Sequence, residues 1–277
     1  MSNFTDNIKA VPGLTHYYPL TTDARDVVGA QHGVSTGVSF VNGKAIFNGA
    51  GSINLGDSPD FSVATKQAMT ILVFLTVDDW TGAGASEYVH WAGKGKANAH
   101  EWTFRHYVRG GTGEAATRQG RTSFYHFNPA GGLGSGSYYQ DPTYPVRERM
   151  IVATANMSQI ALYVEGQLRD VDLLSDYAIV PKDTASPVML GTRGDATGSL
   201  IGKIRRVAFF DRLLTAAEIY SIYNDRLLPE VEPVVVAPPP PVVVTPPVVV
   251  VNEFAATSDI VAKHNALVKV LREKGLI

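Results

Sequence analysis

At 277 residues, with 24 Lys and Arg against 26 Asp and Glu and a net charge of −2, the chain lacks the basic excess that binding to nucleic acid or an anionic membrane surface would require. It contains no cysteine, which excludes a disulfide framework, thiolate metal sites and cysteine nucleophiles together and leaves stability to packing. A hydrophobic content of 45% with a mean hydropathy near zero fits one large or two small globular domains.

The opening Met1-Ser-Asn-Phe-Thr-Asp-Asn-Ile-Lys has no basic stretch leading into an apolar one, so export through a signal peptide is not expected. No apolar run in the chain approaches the length of a membrane span, and membrane insertion is not expected either. Residues 1–228 read as short strands separated by turn signals roughly every 8–12 residues, the pattern of an all-β sandwich or barrel. Asn42-Gly43 stands between two apolar segments and predicts a type I′ hairpin. Met69–Val77 is almost continuously apolar, as a strand buried on both faces would be. In Glu101–Tyr107, alternation places Trp102, Phe104 and His106 on one face, taken as the core, and Glu101, Thr103, Arg105 and Tyr107 on the other. Further strands are predicted over Met150–Asn156, over Gln159–Leu168 with a turn at Glu165-Gly166, and over Gly202–Asp211. Thr215 and Glu218 stand at capping-box spacing, so a short helix should close the domain.

His16-Tyr-Tyr-Pro-Leu, Asp23-Ala-Arg-Asp, Phe40–Phe47, Ile53-Asn-Leu-Gly-Asp, Ala161–Gly166, Met189-Leu-Gly and Gly202–Ile219 together resemble the laminin-G-like, concanavalin-A-like jelly roll over residues 14–225. The end block, a strand followed by Phe210-Asp-Arg and a short helix containing Ala-Glu-Ile, is its most specific part. The resemblance implies two antiparallel sheets of about six or seven strands packed face to face. It also implies calcium at a sheet rim, for which Asp23 and Asp26 are the hard-oxygen candidates, a turn role being the alternative for both. No other cofactor is expected.

Residues 229–251 form a Pro-Val spacer whose prolines fix φ and remove backbone donors, so an extended polyproline II stalk is predicted there. Residues 252–277 carry an amphipathic helix: Thr257 or Ser258 can cap its start, and Gly275 fits the left-handed position after its end, followed by Leu276. Ile260, His264, Leu267 and Leu271 follow a 4-3-4 spacing, an apolar stripe on a helix too short to be stable alone in water. A partner is therefore expected, and three parallel copies would bury the stripe. The tail resembles the carboxy-terminal segment of head fibre proteins of tailed bacteriophages, which end in a helix finishing Leu-Arg-x-x-Gly-Leu.

Catalysis finds no support in the sequence. The fold also hosts glycoside hydrolases, but their Glu-x-Asp-x-x-Glu arrangement of paired carboxylates does not occur, and Asp57/Asp60 and Asp78/Asp79 read as turn residues. His100-Glu101 and His106 have the wrong spacing for a zinc protease helix and lie in a strand. Arg193-Gly194-Asp195 reads as part of a hairpin. Residues 128–145 read as a long Gly-rich loop carrying Tyr138, Tyr139 and Tyr144, rings able either to stack on a sugar or to bury at an interface. The leading expectation is a non-enzymatic virion protein, a homotrimeric head fibre or capsid decoration subunit assembled in the host cytoplasm and docked on the capsid. The alternative is a receptor-recognition module that binds host cell-surface glycan.

Overall fold

The computed structural model describes residues 3–82, 87–196, 198–230 and 257–277. Residues 231–251 of the predicted stalk fall outside the described residues. Two compact units result, and the larger one is a sandwich of two antiparallel sheets.

The eight-stranded sheet runs, edge to edge, through β13 (Gln167–Leu173), β12 (Gln159–Val164), β11 (Arg149–Asn156), β6 (Ala68–Val77), β15 (Ile201–Phe210), β4 (Lys44–Asn48) and β3 (Ser39–Val41), with β1 (Leu14–Tyr18) also paired to β15. The seven-stranded sheet follows the order β10 (Ser135–Gln140), β9 (Arg121–His126), β8 (Ala99–Tyr107), β7 (Tyr88–Lys96), β14 (Val188–Leu190), β5 (Ser52–Gly56) and β2 (Val34–Thr36). Local sequence sets the tight turns. Asn42 and Gly43 both take positive φ between β3 and β4, and Glu165 and Gly166 do the same between β12 and β13, as two-residue I′ hairpins require.

The main core lies between the sheets. Met69, Ile71, Val73 and Leu75 of β6 meet Trp91, Trp102, Phe104 and Phe124 of the opposite sheet. The other face of β6 is buried as well. Leu72 and Phe74, with Met150, Val152 and Phe210, pack against α1 (Phe4–Lys9) and α2 (Ala216–Asn224) through Phe4, Ile8, Ile219 and Ile222. This second layer accounts for the continuous apolar run of β6, since each fully buried side chain contributes ~1.5–3 kcal/mol. In α2 the capping box forms as expected, with the Glu218 amide donating to Thr215 Oγ1 at 3.2 Å and the Thr215 amide donating to Glu218 Oε2 at 2.8 Å.

The sandwich continues past residue 228, where the stalk was expected to begin. The Phe4 amide donates to Pro229 O at 2.9 Å, and Glu230 accepts from Tyr17 Oη at 2.9 Å and pairs with the buried Arg206 guanidinium. A buried cation in the second layer needs a counter-charge, and among the described residues only the residue after Pro229 supplies it.

The second unit contains α3 (Thr257–Glu273). Gly275 takes positive φ, and the Leu276 amide donates back to Leu271 O at 2.9 Å, closing the helix with the left-handed cap its sequence predicts. Among the described residues no helix is long and apolar enough to cross a membrane.

Candidate functional site

The outer face of the seven-stranded sheet carries an unusual density of rings and cations. Cross-strand partners share a face, so the pairs Tyr88–Tyr107, His90–Arg105, Thr103–Tyr125, Arg105–Ser123 and Tyr138–Ser123 gather side chains from β7 to β10 on one side. The alternate residues Val89, Trp91, Trp102, Phe104 and Phe124 point into the core. Neighbouring strands thus build the face in register, each contributing one to three residues.

Arg105 occupies its centre. Its guanidinium lies 4.2 Å from the Tyr88 ring centroid, 4.1 Å from Tyr125 and 5.2 Å from Tyr107, and donates to Tyr107 Oη at 2.9 Å. Its Nε is buried without a partner, and among the described residues no carboxylate pairs with it. Three π faces therefore hold a cation that lacks a counter-ion. Beside it His90 stacks on His100 at 5.6 Å and 11°, with His90 Nδ1 2.8 Å from Thr103 Oγ1 and with His90 Nε2 and His100 Nδ1 unpaired. Burial, reinforced by Arg105 and by the other cations nearby, pushes His90 well below the usual imidazole range. Burial, with Arg193 and Arg105, takes His100 down to about 4. Both rings are neutral at pH 7, each offering one N–H and one acceptor nitrogen.

These residues border a pocket of about 180 Å³, whose lining includes Tyr88, His90, His100, Arg105, Phe127 and Arg193. Phe127 extends its apolar wall by packing on His100 at 5.2 Å and on Tyr125 at 5.7 Å. The Gly-rich segment makes this arrangement possible. A Cβ on Gly136 would stand 2.2 Å from the Tyr125 ring and one on Gly134 2.4 Å from the Phe127 ring, so glycine lets both rings lie against the edge strand.

Several sequence-based expectations change here. Residues 135–140 are strand β10 rather than loop, and this sends the three tyrosines in different directions. Tyr138, 41% exposed, joins the outer face and carries the Arg121 guanidinium 3.8 Å from its ring. Tyr139 points to the opposite side and packs against the core, with Arg169 at 4.6 Å. Tyr144 packs on Trp80 at 5.9 Å and donates to Gln119 Oε1 at 3.3 Å. The Trp102 face of β8 is core, as expected, and His106 is buried there against Trp80 at 4.8 Å.

The calcium candidates are not brought into a ligand set. Asp26 Oδ1 accepts from the amides of Tyr17, Val28 and Gly29 at 3.0–3.1 Å, and its Oδ2 lies 2.7 Å from His16 Nδ1. Burial pushes the Asp26 carboxyl up, but these hydrogen bonds outweigh it and hold the group below its ordinary value. Asp23 is exposed and accepts from the Arg25 amide at 2.9 Å. Each carboxylate thus organises its own turn, and among the described residues no group of three or more Asp, Glu or His side chains could hold a metal ion.

One buried charge cluster remains. A β-bulge leaves Glu101 without a cross-strand partner between the pairs Lys94–Trp102 and Gly95–His100, and there it meets Lys94 Nζ at 2.8 Å. Lys94 also reaches Asp57 at 2.8 Å and Asp183 at 2.9 Å, while Ser62 and Thr184 hydroxyls donate to Glu101 at 2.8 Å. Both Glu101 oxygens are occupied by donors, so the cluster ties loops to the sheet and presents no open carboxylate pair.

In the tail helix Leu267 and Leu276 are 58% and 66% exposed, His264 is exposed and Leu271 is half-buried. The side chain of Ile260 lies outside the described part of the helix.

Fold and face define a lectin-like β-sandwich. The chain belongs to the concanavalin A-like lectin/glucanases superfamily, whose family model matches residues 47–220. It is similar in structure to the receptor binding domain of the botulinum neurotoxin C/D mosaic serotype, with TM-score 0.55 and 12% identity over 76% of this chain and 51% of that one. Trypanosoma rangeli sialidase matches with TM-score 0.57 and 15% identity over 80% of this chain and 34% of the sialidase. Domain 4 of AbnA, an extracellular arabinanase from Geobacillus stearothermophilus solved in complex with arabinotriose, matches with TM-score 0.53 and 14% identity over 76% of this chain and 98% of that domain. The chain therefore spans about half the neurotoxin domain and about a third of the sialidase. No curated protein matches it in sequence.

Proposed function

We propose that the sandwich is a non-enzymatic carbohydrate-binding module whose ligand rests on the outer face of the seven-stranded sheet. The observation that carries this reading is the pocket beside Arg105, where the rings of Tyr88 and Phe127 offer apolar surface to a sugar ring and Asn98, Arg105 and Arg193 offer polar groups to its hydroxyls. The arabinanase domain, crystallised with arabinotriose, and the botulinum neurotoxin serotype D ligand binding domain, crystallised with N-acetylneuraminic acid, lend the reading support at the level of the fold. A glycan array probed with the full chain tests it. Signal that disappears in Phe127→Ala and weakens in Tyr138→Ala supports the reading, and an array without signal refutes it.

A second reading concerns where such a module is carried. The exposed Leu267 and Leu276 on a well-capped helix, beyond a Pro-Val spacer, favour an assembly tail that joins three copies or docks on a larger particle. A homotrimeric decoration subunit or head fibre of a tailed phage, assembled in the host cytoplasm and displaying a lectin-like domain towards host glycans, has this arrangement. Deleting residues 252–277, or changing Leu267 and Leu271 to Asp, should lower the mass seen by light scattering to that of a monomer or abolish attachment to particles. Unchanged mass together with unchanged attachment would remove the tail from this role.

A further inference from the structure

We infer that the pocket beside Arg105 selects sugars bearing a carboxylate, as in hexuronates and sialic acids. The inference rests on the glycan-binding reading and narrows its ligand class. Its ground is an imbalance of charge. Arg105 is 8% exposed, makes one hydrogen bond, to a phenol, and has no ion-pair partner among the described residues. A cation taken this far out of water is normally paired, and the tyrosine faces around it compensate only part of the lost hydration.

The other pocket groups have the same bias. Arg193 also lines the pocket, its Nε held by Asp195 at 2.7 Å. The two histidines are neutral and leave the charge of the pocket to its arginines. The carboxylates of the neighbourhood are engaged elsewhere: Glu101 with Lys94, Asp195 with Arg193, and Glu114 with Arg118 at 2.6 Å. A neutral sugar could stack on Phe127 but would leave Arg105 uncompensated. A uronic acid brings to the same place a planar two-oxygen anion, which can compensate the guanidinium charge and accept paired N–H bonds from it. At about 180 Å³, below the roughly 300–1,000 Å³ of pockets for drug-sized ligands, the site has room for a single residue of a chain.

Calorimetric titration of the full chain tests the inference with matched probes: trimers of galacturonate, glucuronate and mannuronate, trimers of galactose, glucose and mannose, 6-sulfated galactose trimer, and sialyllactose beside lactose. At least one carboxylated member should bind tenfold or more tighter than its neutral counterpart and than the sulfated trimer. Arg105→Lys keeps the charge but removes the fork and should erase most of that gap. If Arg105→Lys melts early, Arg193→Gln, at the rim, should narrow the gap in a folded protein. Equal binding of neutral and acidic sugars overturns the selection and leaves the glycan reading standing. Preference for the sulfated probe, or a carboxylate preference that both variants retain, also overturns it. No binding by any sugar overturns the glycan reading with it.

Discussion

Glu230→Ala is the sharpest test of how the sandwich ends. Arg206 is fully buried, its guanidinium 3.7 Å from the Phe4 ring and 5.1 Å from the Phe74 ring, and it donates to Arg226 O at 3.0 Å and Leu228 O at 2.8 Å. Glu230 supplies the only carboxylate paired with it among the described residues, and also accepts from Tyr17 Oη and Thr5 Oγ1. The substitution leaves a buried cation facing carbonyls alone and takes an acceptor from two hydroxyls. Breaking a buried pair from one side costs ~3–5 kcal/mol. For a domain of this size, at ~2–4 °C per kcal/mol, Tm should fall by about 6–20 °C. The assay is thermal unfolding followed by circular dichroism at pH 7, with Arg206→Met/Glu230→Leu as control. The double variant should recover much of the loss, because it removes both charges. A fall below about 2 °C for Glu230→Ala would refute the reasoning and return the domain boundary to residue 228.

Acid should weaken the domain before its carboxylates titrate. Burial takes His106 down to about 3, and His126 and His100 down to about 4, from an ordinary 6.5. The unfolded chain therefore binds more protons than the folded one below pH 6.5, so stability is full above that value and is lost as pH falls towards 4. The loss approaches ~1.4 kcal/mol per pH unit for each histidine, and equal urea midpoints at pH 7.5 and pH 5 would contradict it. Gly191→Ala should destabilise by more than ~2 kcal/mol, since Gly191 has φ +80° and its Cβ would stand 2.1 Å from the Phe47 ring in the core. Gly132, at φ +105° with open space around it, separates backbone strain from packing: Gly132→Ala should cost clearly less in the same urea titration.

Much of the candidate face lay within reach of pattern reading. Alternation in β8 already placed Arg105 with Thr103 and Tyr107 on one side. What concealed the rest was the Gly-rich approach to β10. Glycine weakens strand propensity, so the segment resembled a loop, and Tyr138 and Tyr139 looked like neighbours on one surface. Once the segment is a strand, the period of two sends them to opposite sides. The N-terminal helix α1 also went unread, because its six residues carry too few apolar positions to announce a buried face.

The sequence by itself determined features whose causes lie within a few residues. These are the Asn42-Gly43 and Glu165-Gly166 turns, the Thr215–Glu218 cap, the left-handed close at Gly275 and the doubly buried character of β6. Only the tertiary structure decided which strands lie side by side and in what register, and hence that Tyr88, His90, Arg105, Tyr125 and Tyr138 share one face. It also decided that Asp26 caps a turn with its oxygens occupied, that Glu101 meets Lys94 across a bulge, and that Glu230 is the counter-charge of Arg206. The physical reason is common to all of these. A turn or a cap is a local choice of φ, ψ and one hydrogen bond, whereas a site on a sheet is assembled by pairings between distant segments, and one bulge is enough to re-aim a side chain.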